Sequence, residues 1–395
     1  MAARYLLDIG LILFSTKLFG IFTRRFYMPQ VVGALLAGLL LGPGMLNLIR
    51  QSDFLLQTAE IGVIVLMFCA GMETDVHELK KAGVASFIIA MIGVLVPLAG
   101  GFLVAVFFNR PGMIESDAKC SLFLQNIFIG VILTATSVSI TVETLKEIGK
   151  LSTHSGNTIL GAAVIDDILG IIALTVISSM ADESVKISIT LLKIVIYFVF
   201  VMIVIFLFRK IFDLWCSKSE VGLRRYSIMA LVFCVLMAYI AEEYFGVADI
   251  TGAYIAGIGV SMTKKEDYIA SRINILSYLY LSPVFFASIG LKVTLPEMSM
   301  KIVWFAVTLT LVAIFTKVAG CGIGAKLCKY TNLQALRIGI GMISRGEVAL
   351  IVASKGTALG LMSRQLMGPI IIVVIITTIA APILLKLVYQ REGED

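Results

Sequence analysis

The chain has 395 residues, of which 59% belong to the set AVILMFWYC and 15% are charged, with a formal net charge of +6. Soluble domains are about 45–50% apolar and about 25% charged, so this composition excludes disordered, collagen-like and disulfide-rich chains. Apolar runs of about twenty residues recur from end to end, which also excludes an ordinary soluble enzyme. In a membrane protein a positive charge is typical of basic cytoplasmic loops, so we expect no nucleic-acid partner.

The apolar runs predict an all-α polytopic membrane protein, with a single membrane domain over residues 1–395, no soluble domain and lipid around it. All but the ninth of thirteen predicted helices are long enough to cross a bilayer. The longest predicted loop, about 209–225, is too short for a domain. The predicted helices are 5–22, 29–47, 58–73, 83–108, 123–145, 156–180, 187–208, 226–245, 249–262, 272–291, 302–325, 333–354 and 365–388.

The distribution of lysine and arginine predicts the orientation of these helices. With the N-terminus outside, roughly twice as many basic residues fall in cytoplasmic loops and the C-terminal tail as in external loops. We therefore expect a multi-pass protein of the cell (inner or plasma) membrane, with its N-terminus outside and its C-terminus in the cytoplasm.

Two small-residue motifs recur at one spacing. Gly33-Ala34-x-x-Ala37-Gly38 reappears 219 residues later as Gly252-Ala253-x-x-Ala256-Gly257, and Gly71 matches Gly290 at the same offset. Seven predicted helices separate the copies, an odd number, so equivalent helices run in opposite directions. This is the pattern of the inverted-topology repeats of secondary transporters. It further predicts that helices four, five and six correspond to eleven, twelve and thirteen.

Charged residues occur where the bilayer midplane is expected. Asp166 and Asp167 lie about ten residues into the sixth helix, roughly 15 Å deep. A charged side chain there costs about 2.5–3.5 kcal/mol on insertion scales, and neighbours on a helix diverge by about 100°. One carboxylate can thus face a partner helix while the other faces a cavity. Lys317, about fifteen residues into the eleventh helix, is the predicted ion-pair partner of one of them.

The fifth and twelfth helices look discontinuous. Five hydroxyl residues lie between Thr134 and Thr141, where they can satisfy freed backbone groups and offer oxygen ligands. The twelfth helix carries Arg345, Gly346 and Glu347 in mid-membrane. Half-helix ends at this depth present dipoles to ions, so we expect two crossing broken helices, with Arg345 and Glu347 shaping the site.

These residues together resemble the cation:proton antiporter-2 family, in its bacterial Asp-Asp type of sodium/proton or potassium/proton antiporter. The resemblance covers nearly the whole chain. The matching segments are 134–137, 164–167, 316–320 and 341–351, with weaker likeness at 33–43 and 285–291.

The resemblance implies the sodium/proton antiporter fold, in which a six-helix core moves against a dimerisation domain of a homodimer. It suggests core helices at about 58–180 and 272–388 and dimerisation helices at about 5–47 and 187–262. Carried over by residue, Asp166 would bridge to Lys317, and Asp167 would bind the cation and carry a proton. Thr134, Thr136 and Ser137 would lie beside them.

The expected activity is therefore antiport without an enzymatic reaction and without a cofactor. Carboxylate, hydroxyl and carbonyl oxygens suit Na⁺, K⁺ and Li⁺ alike, held by Asp166 and Asp167. Alternatives are a sodium-coupled symporter of an organic anion, which needs a larger polar cavity, and a cation channel or sensor, which shows no proton coupling. An intramembrane aspartyl protease needs its two acids on different helices, whereas these are adjacent.

Overall fold

The computed structural model describes residues 4–25, 28–110, 113–114, 118, 120–181, 186–217, 224–293 and 298–390. Over these residues the regular structure is entirely helical. The α-helices are α1 (Arg4–Arg25), α2 (Gln30–Leu41), α3 (Asp53–Met72), α4 (Val76–Phe108), α5 (Leu122–Ile132), α6 (Val138–Glu147), α7 (His154–Ala181), α8 (Ile187–Ser217), α9 (Arg224–Phe245), α10 (Asp249–Ser261), α11 (Glu266–Leu276), α12 (Ser282–Leu291), α13 (Met300–Leu327), α14 (Asn332–Gly341), α15 (Glu347–Ala358) and α16 (Met367–Tyr389).

The thirteen predicted segments are all present as helices. Within the described residues, nine helical stretches are long and apolar enough to cross a membrane. The other four predicted segments are α2, α10, α5 with α6, and α14 with α15. The last two pairs each replace one predicted helix by two half-helices, as expected for the fifth and twelfth segments.

Four boundaries differ from the prediction by six residues or more, and one of them is the start of α4, which lies at Val76 instead of 83. The second helix ends at Leu41, not 47, because Pro43 disfavours helix at the residue before it, and Gly42 is extended. α8 continues to Ser217, so the predicted long loop shrinks, and residues 218–223 lie outside the described residues. The tenth segment starts at Glu266 and runs from α11 to α12 through a wide π-helical turn at 277–281, before a proline that cannot donate a backbone hydrogen bond.

The helices pack into two groups. The first, here called the core bundle, contains α4, α5, α6, α7, α13, α14, α15 and α16, with α4 and α13 packed along each other at its centre. The second, here called the scaffold, contains α1, α2, α3, α9, α10, α11 and α12. α8 contacts α7 on one side and α9 and α10 on the other.

This packing differs from the expected division at two segments. Residues 58–73 and 272–291 were expected in the core, but α3 packs against α10 and α12, and α12 packs against α2. Small residues explain this, because glycine stripes allow these helices to approach closely.

Four glycines mark an internal symmetry within the scaffold. Gly290 of α12 packs on Gly38 of α2, and a Cβ added at Gly290 would lie 2.7 Å from the Gly38 carbonyl carbon. Gly71 of α3 packs on Gly257 of α10, and a Cβ added at Gly71 would lie 3.0 Å from the Gly257 Cα. The 219-residue offset turns Gly38 into Gly257 and Gly71 into Gly290. The two contacts therefore exchange under the repeat, as expected of a twofold relation between the halves.

Candidate functional site

Two interrupted helices meet inside the core bundle. Residues 133–137 separate α5 from α6, and residues 342–346 separate α14 from α15. The Ser137 N–H donates to the Ser344 carbonyl at 2.7 Å, and the Thr141 hydroxyl donates to the Gly341 carbonyl at 2.7 Å. Gly346 permits the approach, because a Cβ there would lie 2.6 Å from Ser137 Oγ. The hydroxyl-rich segment thus supplies partners to backbone groups that the breaks release.

Arg345 fills the crossing point and is 1% exposed. Its guanidinium donates to the carbonyls of Leu133 at 2.5 Å and Ala313 at 3.3 Å, and to that of Ile343 at 3.0 Å. Leu133 follows the last residue of α5, where helix carbonyls lack internal partners and a cation is favoured. Arg345 therefore neutralises and holds a half-helix end. The side chain of Glu347 lies outside the described part of the structure, although its backbone begins α15.

Asp166 of α7 and Lys317 of α13 form a buried ion pair beside the crossing. Lys317 Nζ lies 2.8 Å from Asp166 Oδ1 and donates to the Thr134 carbonyl at 2.9 Å. Lys317 is 0% and Asp166 2% exposed. Such a pair offsets its desolvation only when hydrogen bonds satisfy both charges. Asp166 Oδ2 has no hydrogen bond of ordinary geometry among the described residues, and the Thr136 hydroxyl lies close enough to interact with the Asp166 carboxylate.

Asp167 has a different environment from Asp166. It is half-buried, as expected for a neighbour rotated by about 100° around the helix. Ile171 and Leu174 stand four and seven residues further along α7, on the same helical face as Asp167. Both line a cavity of about 520 Å³ between the core bundle and the scaffold. Asp167 therefore lies on the face of α7 that turns towards an accessible space.

The three predicted hydroxyl residues are all buried at the break. The Thr134 hydroxyl donates to the Val131 carbonyl at 2.7 Å, so it is the Thr134 carbonyl that reaches Lys317. Ser137 Oγ lies 3.2 Å from Ser139 Oγ. Thr136 is the one whose hydroxyl approaches the Asp166 carboxylate.

The structure adds one side chain that the sequence analysis missed. The Thr378 hydroxyl of α16 donates a short hydrogen bond to the Arg345 carbonyl and so ties the break to the last helix. The adjacent hydroxyls of Thr377 and Thr378, in the middle of an otherwise apolar helix, are the sequence signal that could have revealed it.

Oxygen atoms from a carboxylate, hydroxyls and freed carbonyls thus converge where the two interrupted helices meet the continuous helices α7 and α13. Such a donor set suits a hard cation. Among the described residues, no cluster of three or more histidine, cysteine, aspartate or glutamate side chains is arranged to hold a metal ion.

The chain matches the family model described as sodium/hydrogen exchanger, transmembrane, over residues 10–391. It is 37% identical to the Na⁺/H⁺-K⁺ antiporter GerN of Bacillus cereus, over 100% of this chain and 98% of that protein. It is also 37% identical to a Na⁺/H⁺ antiporter of Enterococcus hirae, over 95% of this chain and 96% of that protein.

Two structures of the sodium proton antiporter MjNhaP1 from Methanocaldococcus jannaschii share the fold. One has a TM-score of 0.70 and covers 98% of this chain and 97% of its own; the other has a TM-score of 0.77 and covers 100% and 99%. Both are 18% identical to this chain in sequence. With its helices, its crossing half-helices and a family match over nearly its full length, this chain is a multi-pass membrane protein that belongs to the sodium/hydrogen exchanger family.

Proposed function

We propose that the protein is a secondary active transporter that exchanges Na⁺, or K⁺ or Li⁺, for H⁺. The observation that carries this proposal is the different environment of two adjacent acids: Asp166 is paired to Lys317, and Asp167 is half-buried on the face of α7 that lines the cavity. The names of the relatives support exchange over an organic-anion symporter, a channel or a sensor.

The cation and the proton compete for Asp167. At low pH the carboxyl group is protonated and the cation is excluded; at high pH the carboxylate is free and the cation binds. Oxygens from Asp166 and the hydroxyls of Thr134, Thr136 and Ser137 complete the cation's surroundings as it sheds water. Arg345 and Glu347 shape the crossing without binding the ion.

Lys317 gives the site a second way to release a proton. If the cation draws the Asp166 carboxylate away from Lys317, the lysine loses its partner in a dry interior and can release a proton. Exchange is then electrogenic, with two protons moving for each cation.

Transport requires the site to face the two sides of the membrane in turn. An empty charged site is too costly to expose to hydrocarbon, so the core bundle moves only when Asp167 is neutralised by a proton or a cation. The scaffold stays in place and forms the contact between two copies in a homodimer. The N-terminus lies outside the cell and the C-terminus in the cytoplasm.

Proteoliposomes with a pH dye inside test this function. An imposed Na⁺ or K⁺ gradient should move protons, and a clamp on the membrane potential shows whether the exchange is electrogenic. Asp167→Asn should abolish the response because the side chain can no longer carry a proton. Glu243→Gln, at an exposed acid near the end of α9, is the matched control and should retain it. Intact proton movement in Asp167→Asn would refute the assignment, and cation flux without proton movement would favour a channel.

A further inference from the structure

We propose that Lys146 and Lys355 form alternating ion pairs between core bundle and scaffold, each closing one side of the ion pathway in turn. This inference rests on the proposed exchange by alternating access. It concerns residues about two and a half turns away from the breaks, outside the ion site itself.

The first ion pair is formed in this structure. Lys146 Nζ, near the end of α6 in the core bundle, lies 2.8 Å from Glu73 Oε1, directly after α3 in the scaffold. It also lies 2.7 Å from Asn274 Oδ1 of α11, and the Asn274 amide donates to the same Glu73 oxygen at 3.0 Å. The next residue, Glu147, accepts the Gln30 N–H of α2 at 2.7 Å. The core bundle is thus fastened to three scaffold helices on this side.

The opposite side is open. The cavity of about 520 Å³ lies between α7 and α15 of the core bundle and α3, α9, α10 and α12 of the scaffold. Lys355 stands on its core wall, and Glu60 and Glu242 stand on its scaffold wall. Glu60 is the eighth residue of α3 and Glu73 follows that helix, so cavity and fastened contact are separated by about 20 Å along it.

The two breaks, and not the 219-residue offset of the glycine motifs, align the two lysines as equivalent residues. α6 begins at Val138 and α15 at Glu347, each directly after its break. Lys146 and Lys355 are then both the ninth residue of their half-helix. Inverted repeats place equivalent residues at opposite sides of the membrane, so a contact that closes one side has its counterpart on the other. When the core bundle moves and the cavity closes, Lys355 approaches the acids on the opposite wall.

The ion pair of Lys146 and Glu73 is partly exposed to solvent, as expected of a contact that must break in every transport cycle. The side chains of Lys146 and Glu73 are 28% and 29% exposed. Partly exposed ion pairs shift an equilibrium by only about two- to fivefold, unlike the fully buried pair of Asp166 and Lys317. A lock of this strength biases the population of one conformation without trapping it.

A thiol-labelling experiment tests the proposal. Leu174→Cys, on the core wall of the cavity, serves as the reporter in a background whose six native cysteines are replaced by alanine. The rate of labelling by an uncharged maleimide is measured on purified protein in nanodiscs. Lys146→Met should lower this rate about two- to fivefold because the cavity is open less often. Lys81→Met is the control, since that lysine pairs with Glu78 at the same 2.8 Å but within one helix; its rate should equal the parental rate.

Two combinations separate a lock from a merely structural role. Adding Lys355→Met to Lys146→Met should return the rate towards the parental value, because the opposing contact is then also lost. The charge exchange Lys146→Glu with Glu73→Lys should restore the rate that either change alone lowers. Glu73→Gln is the milder variant if a charge reversal fails to fold.

The proposal is overturned if Lys146→Met and Glu73→Gln label at the parental rate, or if Lys81→Met slows labelling equally. It is also overturned if Lys355→Met does not counteract Lys146→Met. Labelling requires no ion flux, so these results are independent of exchange in proteoliposomes. Unchanged labelling with intact exchange refutes the lock alone, whereas absent exchange in the parental protein refutes the proposed function.

Discussion

Removing the Lys317 ammonium tests how strongly the buried ion pair holds the site together. Lys317→Ala leaves Asp166, which is 2% exposed, without its 2.8 Å partner. An uncompensated buried charge costs about 3–5 kcal/mol. The carboxylate can avoid this by taking up a proton, but an aspartate with the ordinary pKa of about 3.9 does so from a pH 7 solution at a cost of about 4 kcal/mol. Both routes predict that the variant loses about 4 kcal/mol in the free energy of unfolding at pH 7.

The two single variants should respond to pH in opposite directions. Protonation of the Asp166 carboxylate costs less free energy at lower pH. The loss in the free energy of unfolding of Lys317→Ala should therefore shrink to about 1.5 kcal/mol at pH 5. Asp166→Asn instead leaves a buried lysine without its partner, and that lysine must give up a proton to become neutral. The loss in the free energy of unfolding of this variant should therefore grow as the pH falls. The double variant Asp166→Asn with Lys317→Gln removes both charges and should recover most of the stability.

Reversible unfolding in mixed detergent micelles with SDS, followed between pH 5 and pH 8, measures these differences. The reasoning is refuted if both single variants lose less than about 1 kcal/mol, since that is the value of an exposed ion pair. It is equally refuted if their losses change with pH in the same direction.

Three further predictions follow from the site. In proteoliposomes, the apparent KM for Na⁺ should rise about tenfold for each unit of pH below the optimum if one proton competes, and more steeply if Lys317 takes part; a KM independent of pH would exclude competition. Gly346→Ala should lower the free energy of unfolding by about 1–3 kcal/mol because the new Cβ meets Ser137, whereas Gly170→Ala has open space and should not. Arg345→Lys should cost about 1–3 kcal/mol in the same SDS assay because an ammonium cannot reach all three carbonyls; an unchanged midpoint would show that the guanidinium fork is dispensable.

Much of the site could be predicted because charges are costly in hydrocarbon. The depths of Asp166 and Lys317 suffice to predict a pair, and the half-burial of Asp167 agrees with the rotation between neighbours on a helix. The break in the twelfth segment follows from an arginine and a glycine in mid-membrane. The carbonyls that Arg345 contacts could not be predicted, because every residue has a backbone carbonyl and the residue type does not show which one accepts a hydrogen bond.

The grouping of helices was harder to predict than their number. Hydropathy reports how long a helix is and not which neighbour it meets, since lipid and protein interior are equally apolar. The expected core therefore includes 58–73 and 272–291, although both segments pack within the scaffold. The information was present in the four glycines at the 219-residue offset, whose contacts place both segments in the scaffold. The end of α2 was missed because apolar side chains continue past Pro43.

The exchanged glycine contacts have a consequence for the synthesis of the protein. α2 packs against α12 and α3 packs against α10, so neither half of the sequence covers these four glycines by itself. Ribosomes add about 5–20 residues per second, so Gly38 of α2 waits roughly 13–50 s for Gly290 of α12, which lies 252 residues further along the chain. During that interval the nascent first half exposes to the bilayer two small-residue helix faces, which can associate with other helices. The nascent chain therefore avoids wrong helix contacts only if lipid or another protein covers those faces until the second half is synthesised.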